Sequence, residues 1–444
     1  MNADTSPITR IRSVESNPES PFAGDLFVRE KLAERLTGLV ERMADGYVLA
    51  IDAPWGEGKT WFARHWAADL RKKEFKVAYI DAFKQDYVED PFLMVCSELL
   101  AQIVEDESSH SRVAEAGWKV AKALFPIAAK TVVNFGGRFL LGTADLSEEM
   151  RKAVEEVDRK MADALEKHLA KRLEAYAEDK RSVEGFATVL AEEAAKQDKP
   201  LIIFVDELDR CRPDFAIRTI ERIKHFFDVP KVVFVLMVNR EQLESSARGI
   251  YGQGLEAGAY LGKFVQLWLR LPKNRSIEAG WTNHNKIYCQ NLAKRFGVEK
   301  QQGHGEFQEV FAALASITGL SLRDLERGYT LFSFGSPFGE LGAFAAWAVW
   351  LKLKRPDIHA GVIAGRTEAN LEAAKVAEEL KAQEKYSSWL SHIEVLHNYM
   401  VSGDATVMSV DLTNYLKAIS FFGRKREEQI IPGLCEKLDL TVEN

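Results

Sequence analysis

Three short apolar runs rich in β-branched residues stand out along the chain: Tyr47 to Ile51, Leu201 to Val205 and Val232 to Val238. Each has the length and composition of a strand buried on both faces, as the strands of a parallel sheet are. Between and after them the period changes. Phe62, Trp66 and Leu70 recur at every fourth position, which sets them on one face of a helix running from Trp61 onward. Further on, Met150, Val154, Val157, Met161, Leu165, Leu169, Leu173 and Tyr176 recur every three or four residues through the charged stretch Asp145 to Lys180. That pattern predicts an amphipathic helix of about 45 Å, long enough to span an insertion or to offer an apolar stripe to a partner chain. Leu341 to Leu353 is apolar all round and too short for a membrane span, so it reads as a buried helix ended by Pro356. Glu368 to Gln383, rich in Ala, Glu and Lys, is a further helix. Strands alternating with helices predict an α/β fold with a parallel central sheet.

The junction of the first strand and its helix reads DAPWGEGKT over Asp52 to Thr60. Strand, Gly-rich turn and helix form the setting in which backbone N–H groups and a helix N-terminus cradle phosphate. Gly56 and Gly58 let the backbone curl, Lys59 reaches β/γ-phosphate oxygens, and the Thr60 hydroxyl suits Mg²⁺. Pro54, Trp55, Gly56, Glu57, Gly58, Lys59, Thr60 and Trp61 are therefore the expected binding loop for a nucleoside triphosphate. The first position of the G-x-x-x-x-G-K-[ST] pattern is Ala53 here, tolerable at negative φ, and Pro54 biases Ala53 toward extended backbone. The competing reading is an ordinary Gly-rich turn carrying a chance Lys-Thr pair.

The second strand ends in Asp206-Glu207, at the sheet end where α/β folds present their ligands. Asp206 is the expected holder of Mg²⁺ through water, and Glu207 the group that orients or deprotonates an attacking water. The third strand ends at Asn239, placed to touch a γ-phosphate or the lytic water, or to cap the helix beginning near Arg240-Glu241.

These residues resemble a family. VDELDRCRPDFAIRTIERIKHFFDVPKVVFVLMVNREQL, from Val205, looks like the second motif of the KAP-family P-loop NTPases with their next helix and strand. DAPWGEGKT, YIDAFKQDYVEDPF and AYLGKFVQLWLRLP agree with it, so the resemblance covers about residues 25–355. The second carboxylate is usually Asp in that family and is Glu207 here. The resemblance implies an additional-strand, AAA-like ATPase with ATP and Mg²⁺ as cofactors, a helical lid, and homo-oligomers in which a neighbour supplies a cation. Arg248, in SSARGIYG, and Lys263, just before an expected strand Phe264 to Leu269, are the two candidates for that cation, with Arg248 preferred of the two; a merely solvated face is the usual role of such residues. In LSLRDLERGYTLF, Ser321 caps a helix and Arg323 matches the lid arginine that senses γ-phosphate, with Arg327 in reserve; an exposed charge ladder is the alternative. Adenine over guanine follows from the family alone. Phe27 and Val28 are candidates to sandwich a base or to cover the core.

Composition narrows the partners. The 444 residues are 46% hydrophobic, enough for two or three cores, and the net charge of −7 argues against a protein that coats duplex DNA. Nucleic acid is thus not indicated, although a local basic groove such as Arg424 to Arg426 is compatible with phosphate. Cys96, Cys211, Cys289 and Cys435 form no C-x-x-C pair and the nine histidines form no H-x-x-x-H pair, which suits a reducing cytoplasm and no zinc site. Met1 to Ser20 is a polar tail without a signal peptide. Many members of the family carry membrane spans between the two motifs, but Trp118 to Gly142 is interrupted by Lys119, Lys122, Lys130 and Arg138, so no transmembrane segment of about 20 apolar residues is expected there. Peripheral membrane contact is the minority reading.

The expected organisation is a tail over 1–20, an NTPase domain split into 21–105 and 196–275, a helical insertion over 106–195, a lid over 276–360 and a helical C-terminal region over 361–444. The expected catalytic set is Lys59, Glu207, Asn239, Arg323 and Arg248, with Thr60 and Asp206 for the metal. The function implied by the resemblance is a cytoplasmic Mg-dependent ATPase that remodels or regulates a multiprotein assembly in bacterial anti-phage defence, with separately encoded effector proteins. A nucleotide-gated scaffold with negligible turnover is the alternative, and a DNA-stimulated ATPase the third option.

Overall fold

The computed structural model describes residues 19–88, 91–103, 185–224, 229–272, 284–335, 338–382, 388–404, 406, 412–413 and 429–439. The segment Trp118 to Gly142, the long helix expected over Asp145 to Lys180, the polar tail up to residue 18 and the basic cluster Arg424 to Arg426 lie outside the described residues. The chain divides into two compact units, Ser13–Pro54 with Lys59–Pro272, and Met1–Arg12 with Trp55–Gly58 and Lys273–Asn444.

The first of these holds a five-stranded sheet: β1 (Tyr47–Asp52), β2 (Val77–Asp81), β3 (Leu201–Asp206), β4 (Val232–Val238) and β5 (Leu267–Arg270). Every pairing is parallel, in the order β2-β3-β4-β1-β5. The strand bearing the phosphate loop and the strand bearing the acidic pair are therefore separated by β4, the additional strand. Register aligns their carboxyl ends, since Asp52 lies opposite Val238, Met237 opposite Asp206, and Asp206 opposite Asp81.

Both faces of the sheet are covered, which is why its strands read as continuous apolar runs. Leu49, Ile51, Ile202, Phe204, Val233 and Val235 share one core with α1 (Arg29–Val40) and α2 (Lys59–Lys72). The alternate positions, among them Val48, Ala50, Ile203, Val205, Phe234 and Leu236, share the other with α3 (Pro91–Ile103), α4 (residues 185–195), α5 (Pro213–Ile223) and α6 (Arg240–Tyr251). Phe62, Trp66 and Leu70 are all fully buried, as their four-residue spacing predicts. Trp66 anchors the layer: its ring meets Phe204 edge-on at 5.2 Å and its indole N–H donates to the Thr37 hydroxyl at 3.0 Å.

One strand differs from expectation. The run from Phe264 does not begin as a strand, because Lys263, Phe264 and Val265 turn back to donate to the carbonyls of Tyr260 and Leu261. They thereby close α7 (Ala257–Leu261), and β5 starts only at Leu267.

The other unit is helical: α8 (His284–Phe296), α9 (His304–Thr318), α10 (Leu322–Gly335), α11 (Gly342–Lys354), α12 (Pro356–Ile363), α13 (Thr367–Lys381), α14 (Ser388–Ser402) and α15 (Ile430–Leu438). Its centre is α11, buried without interruption from Gly342 to Leu351. Trp347 and Trp350 stack at 5.0 Å, and their N–H groups are satisfied by His397 and Thr318 at 3.0 Å each. His397 accepts from Trp347 on Nε2 and so donates from Nδ1 to Asn370 Oδ1 at 2.9 Å. Burial holds the ring neutral, its pKa pulled down to about 3. Pro356 opens α12 at its first turn, ending α11 as the sequence predicts. Among the described residues no helix is long and apolar enough to cross a membrane.

Trp66→Ala removes a fully buried ring and strands Thr37, so it should cost about 3–5 kcal/mol in urea unfolding. A loss below about 1 kcal/mol would contradict this packing.

Candidate functional site

The phosphate loop begins where β1 ends. Ala53 is buried, its N–H donates to the Val238 carbonyl at 3.1 Å, and it is not among the residues with positive φ. The missing first glycine therefore carries no backbone penalty, whereas Gly56 and Gly58 sit at φ 84° and 80°, where a side chain would be strained. Lys59 opens α2 yet is almost wholly buried. Its ammonium donates to the Ala53 carbonyl at 2.7 Å and lies 3.6 Å from Asp209 Oδ2, folding the side chain back over the loop that carries it. Burial lowers its pKa, and the Asp209 charge is the largest opposing influence. Glu57 is buried, whereas Pro54 and Trp55 are exposed. Trp61 stacks on His65 at 3.9 Å and meets Phe22 edge-on.

The acidic pair comes from β3. Asp206 is 1% exposed, and both its oxygens are engaged: Oδ1 accepts the Glu207 N–H at 2.9 Å and Oδ2 accepts the Tyr79 hydroxyl at 2.6 Å. Burial pushes its carboxyl up to about 6, against the hydrogen bond from Tyr79, while the Glu207 charge adds to the rise. Glu207 adopts φ 62°, ψ 22°, a left-handed conformation uncommon for a residue with a side chain and costly by about 1–3 kcal/mol. That turn carries its carboxylate to α2, where Oε1 accepts the Thr60 hydroxyl at 3.1 Å while Oε2 pairs with Arg210 at 2.5 Å. The short 3₁₀ turn Leu208–Arg210 then delivers Asp209 to Lys59. Cys211 follows with its thiol raised to about 12 by burial, which makes it a packing residue and not a nucleophile.

Lys59, Thr60, Asp206 and Glu207 thus converge through direct or shared contacts. Asn239 stands at the carboxyl end of β4, in the N-cap position of α6, where its side chain makes no capping hydrogen bond. Arg248, on the last turn of α6, is paired with Glu244 at 3.2 Å, and Lys263 is exposed with its ammonium 5.9 Å from the Tyr260 ring. Ser321 caps α10, exchanging hydrogen bonds with Asp324 in both directions. Arg323 has an exposed side chain and its N–H donates to the Gly56 carbonyl at 3.3 Å, in the unit that groups residues 55–58 with 273–444. Arg327 lies 3.7 Å from Asp324. Phe27 has the Arg29 guanidinium 5.1 Å from its ring centre, and Val28 is half exposed with φ 55°.

Sequence reasoning passed over three participants. Asp209 and Arg210 stood only as part of the family run, although an acid and a base just beyond an acidic pair were a readable signal. Tyr79 gave none, because its partner Asp206 is 127 positions away.

The donors are hard oxygens, one hydroxyl and two carboxylates. Among the described residues no group of three or more His, Cys, Asp or Glu forms a metal cage. That combination suits Mg²⁺, which is held by one or two carboxylates together with substrate phosphates. The electrostatics make a prediction without any ligand. A carboxyl that titrates near 6 when folded, against an ordinary 3.8, costs no stability below about pH 4 and its full penalty above about pH 6. Asp206→Asn should therefore melt several degrees above the parent at pH 8 without nucleotide, with the difference vanishing at pH 4. Equal melting at pH 8 would contradict the burial assigned to this charge.

The KAP family P-loop domain matches residues 29–325. Solved structures similar to the chain include that of the Aeropyrum pernix ORC2 protein in ADPNP–ADP complexes, 12% identical, covering 93% of this chain and 94% of that one with a TM-score of 0.35. No curated protein sequence matches the chain.

Proposed function

Because this chain belongs to the KAP family of P-loop NTPases, its P-loop domain matching residues 29–325, we propose that it binds ATP with Mg²⁺ and hydrolyses it slowly. The supporting observation is the meeting of the two motifs: Thr60 donates to Glu207 while Lys59 faces Asp209, although each pair is about 150 positions apart in sequence. Lys59, with the amides of Gly56 to Thr60, would hold the β- and γ-phosphates. Thr60 and Asp206 would hold Mg²⁺, which supplies charge neutralisation at the phosphates. Glu207 is the proposed group that orients the attacking water and takes its proton, with Asn239 near the γ-phosphate.

Family resemblance extends the proposal to a homo-oligomer in which Arg248 completes a neighbour's site and Arg323 senses the γ-phosphate. The cycle would rearrange a multiprotein assembly in anti-phage defence, together with separately encoded effectors, inside the bacterial cytoplasm. One observation supports the second reading, a nucleotide-gated scaffold. Each Glu207 oxygen already has a partner, Thr60 for one and Arg210 for the other, so an attacking water competes with both contacts for the carboxylate.

Substitution separates the two. Lys59→Ala should abolish nucleotide binding, because the loop loses its only cation. Glu207→Gln should bind as the parent does and lose about a hundredfold or more in phosphate release. A parent that releases phosphate measurably, with Glu207→Gln keeping that rate, would sink the base assignment, whereas nucleotide binding with no measurable phosphate release by the parent would favour the scaffold.

A further inference from the structure

Asp206 is the residue on which the proposed metal site turns, and an adjacent strand is organised around it. Tyr79 lies on β2 opposite Phe204, two residues before Asp206 on the same face of the sheet, so its ring runs along β3 toward the carboxylate. Four residues hold Tyr79 in place. Its main-chain N–H donates to Gln102 Oε1 at 2.8 Å, and its carbonyl accepts Gln102 Nε2 at 3.0 Å, which satisfies the free edge of β2 with one side-chain amide. The ring stacks on Phe204 at 6.0 Å with 23° between planes. The guanidinium of Arg64, one turn after Thr60 on α2, lies 5.9 Å from the ring centre. The hydroxyl ends 2.6 Å from Asp206 Oδ2.

A phenol held this firmly gains nothing for core packing by carrying a hydroxyl, since Phe would stack equally well on Phe204. What the hydroxyl adds is direction. With Oδ1 committed to the Glu207 N–H and Oδ2 to Tyr79, the carboxylate has one orientation, within hydrogen-bonding reach of the Thr60 hydroxyl. We infer that Tyr79 is a positioning residue for Asp206, holding its carboxylate in the orientation that receives a divalent cation beside Thr60. This rests on the nucleotide reading above and adds a residue to it.

The test is calorimetric titration of a non-hydrolysable ATP analogue into the parent and Tyr79→Phe, each with Mg²⁺ and with EDTA. Metal-free affinities should agree within about twofold, because the Tyr79 hydroxyl is committed to Asp206 on β3 and not to a residue of the phosphate loop. The gain in affinity conferred by Mg²⁺ should fall about tenfold in the variant, the worth of a hydrogen bond to a charged group. A merely structural role would lower the melting temperature or weaken both titrations alike. An unchanged or larger Mg²⁺ gain in Tyr79→Phe overturns the inference and leaves the nucleotide reading intact, whereas a parent that binds no analogue under either condition overturns both. Should Tyr79→Phe melt below the assay temperature, Gln102→Leu frees the Tyr79 main chain from an exposed position. The same selective loss is then expected, and an undiminished Mg²⁺ gain overturns the inference equally.

Discussion

The buried charge pair between Lys59 and Asp209 is the constraint around which this site is arranged. An ammonium with 9% of its side chain exposed needs a partner, and the one it finds is a carboxylate with 1% exposed, delivered by the turn after β3. Neither charge is tolerable alone at that depth. Since β4 stands between β1 and β3, the two cannot meet through the sheet and must meet above its carboxyl edge. Satisfying them therefore forces both loops over the same point, and the Ala53 carbonyl takes the rest of the ammonium's bonding. The result is a cation held in reserve by its own loop and by one acid. Phosphate oxygens would take over the bonding of the Ala53 carbonyl, with the ammonium still close enough to Asp209 to balance its charge.

The strained backbone at Glu207 belongs to the same arrangement. A left-handed residue directly after a buried strand persists only where its surroundings over-determine it. Here they do: the Asp206 carboxylate holds the Glu207 N–H, Thr60 and Arg210 hold its side chain, and the Cys211 thiol points at its carbonyl. Hydroxyl, acid and arginine thus form a chain of contacts across the two motifs. Tyr79 extends it to a third strand, so β1, β2 and β3 each contribute to one carboxylate-lined edge.

Much of this was legible in the residues. The strands β1, β3 and β4 announce themselves because a strand covered on both faces must be apolar throughout, and α2 does so because one of its faces must be. The buried helix α11 was readable from an apolar stretch too short for a bilayer. The fifth strand was misplaced, since Phe264 and Val265 are as apolar as any strand residue, and only the carbonyls of α7 decide that they turn back. Site residues close to a motif could be proposed from spacing. Those that depend on which strands lie side by side, Tyr79 above all, could not, because one-dimensional patterns carry no information about lateral order in a parallel sheet. Asn239 marks the limit in the other direction: its position was predictable, but the helix it precedes makes no use of its side chain.

The most direct test is a crystal structure with Mg²⁺ and a non-hydrolysable ATP analogue. The account predicts that Lys59 Nζ leaves the Ala53 carbonyl for β- and γ-phosphate oxygens, with the metal ion between the Thr60 hydroxyl and the Asp206 side of the site. An analogue bound elsewhere, with Lys59 still on Ala53 and Asp209, would contradict it.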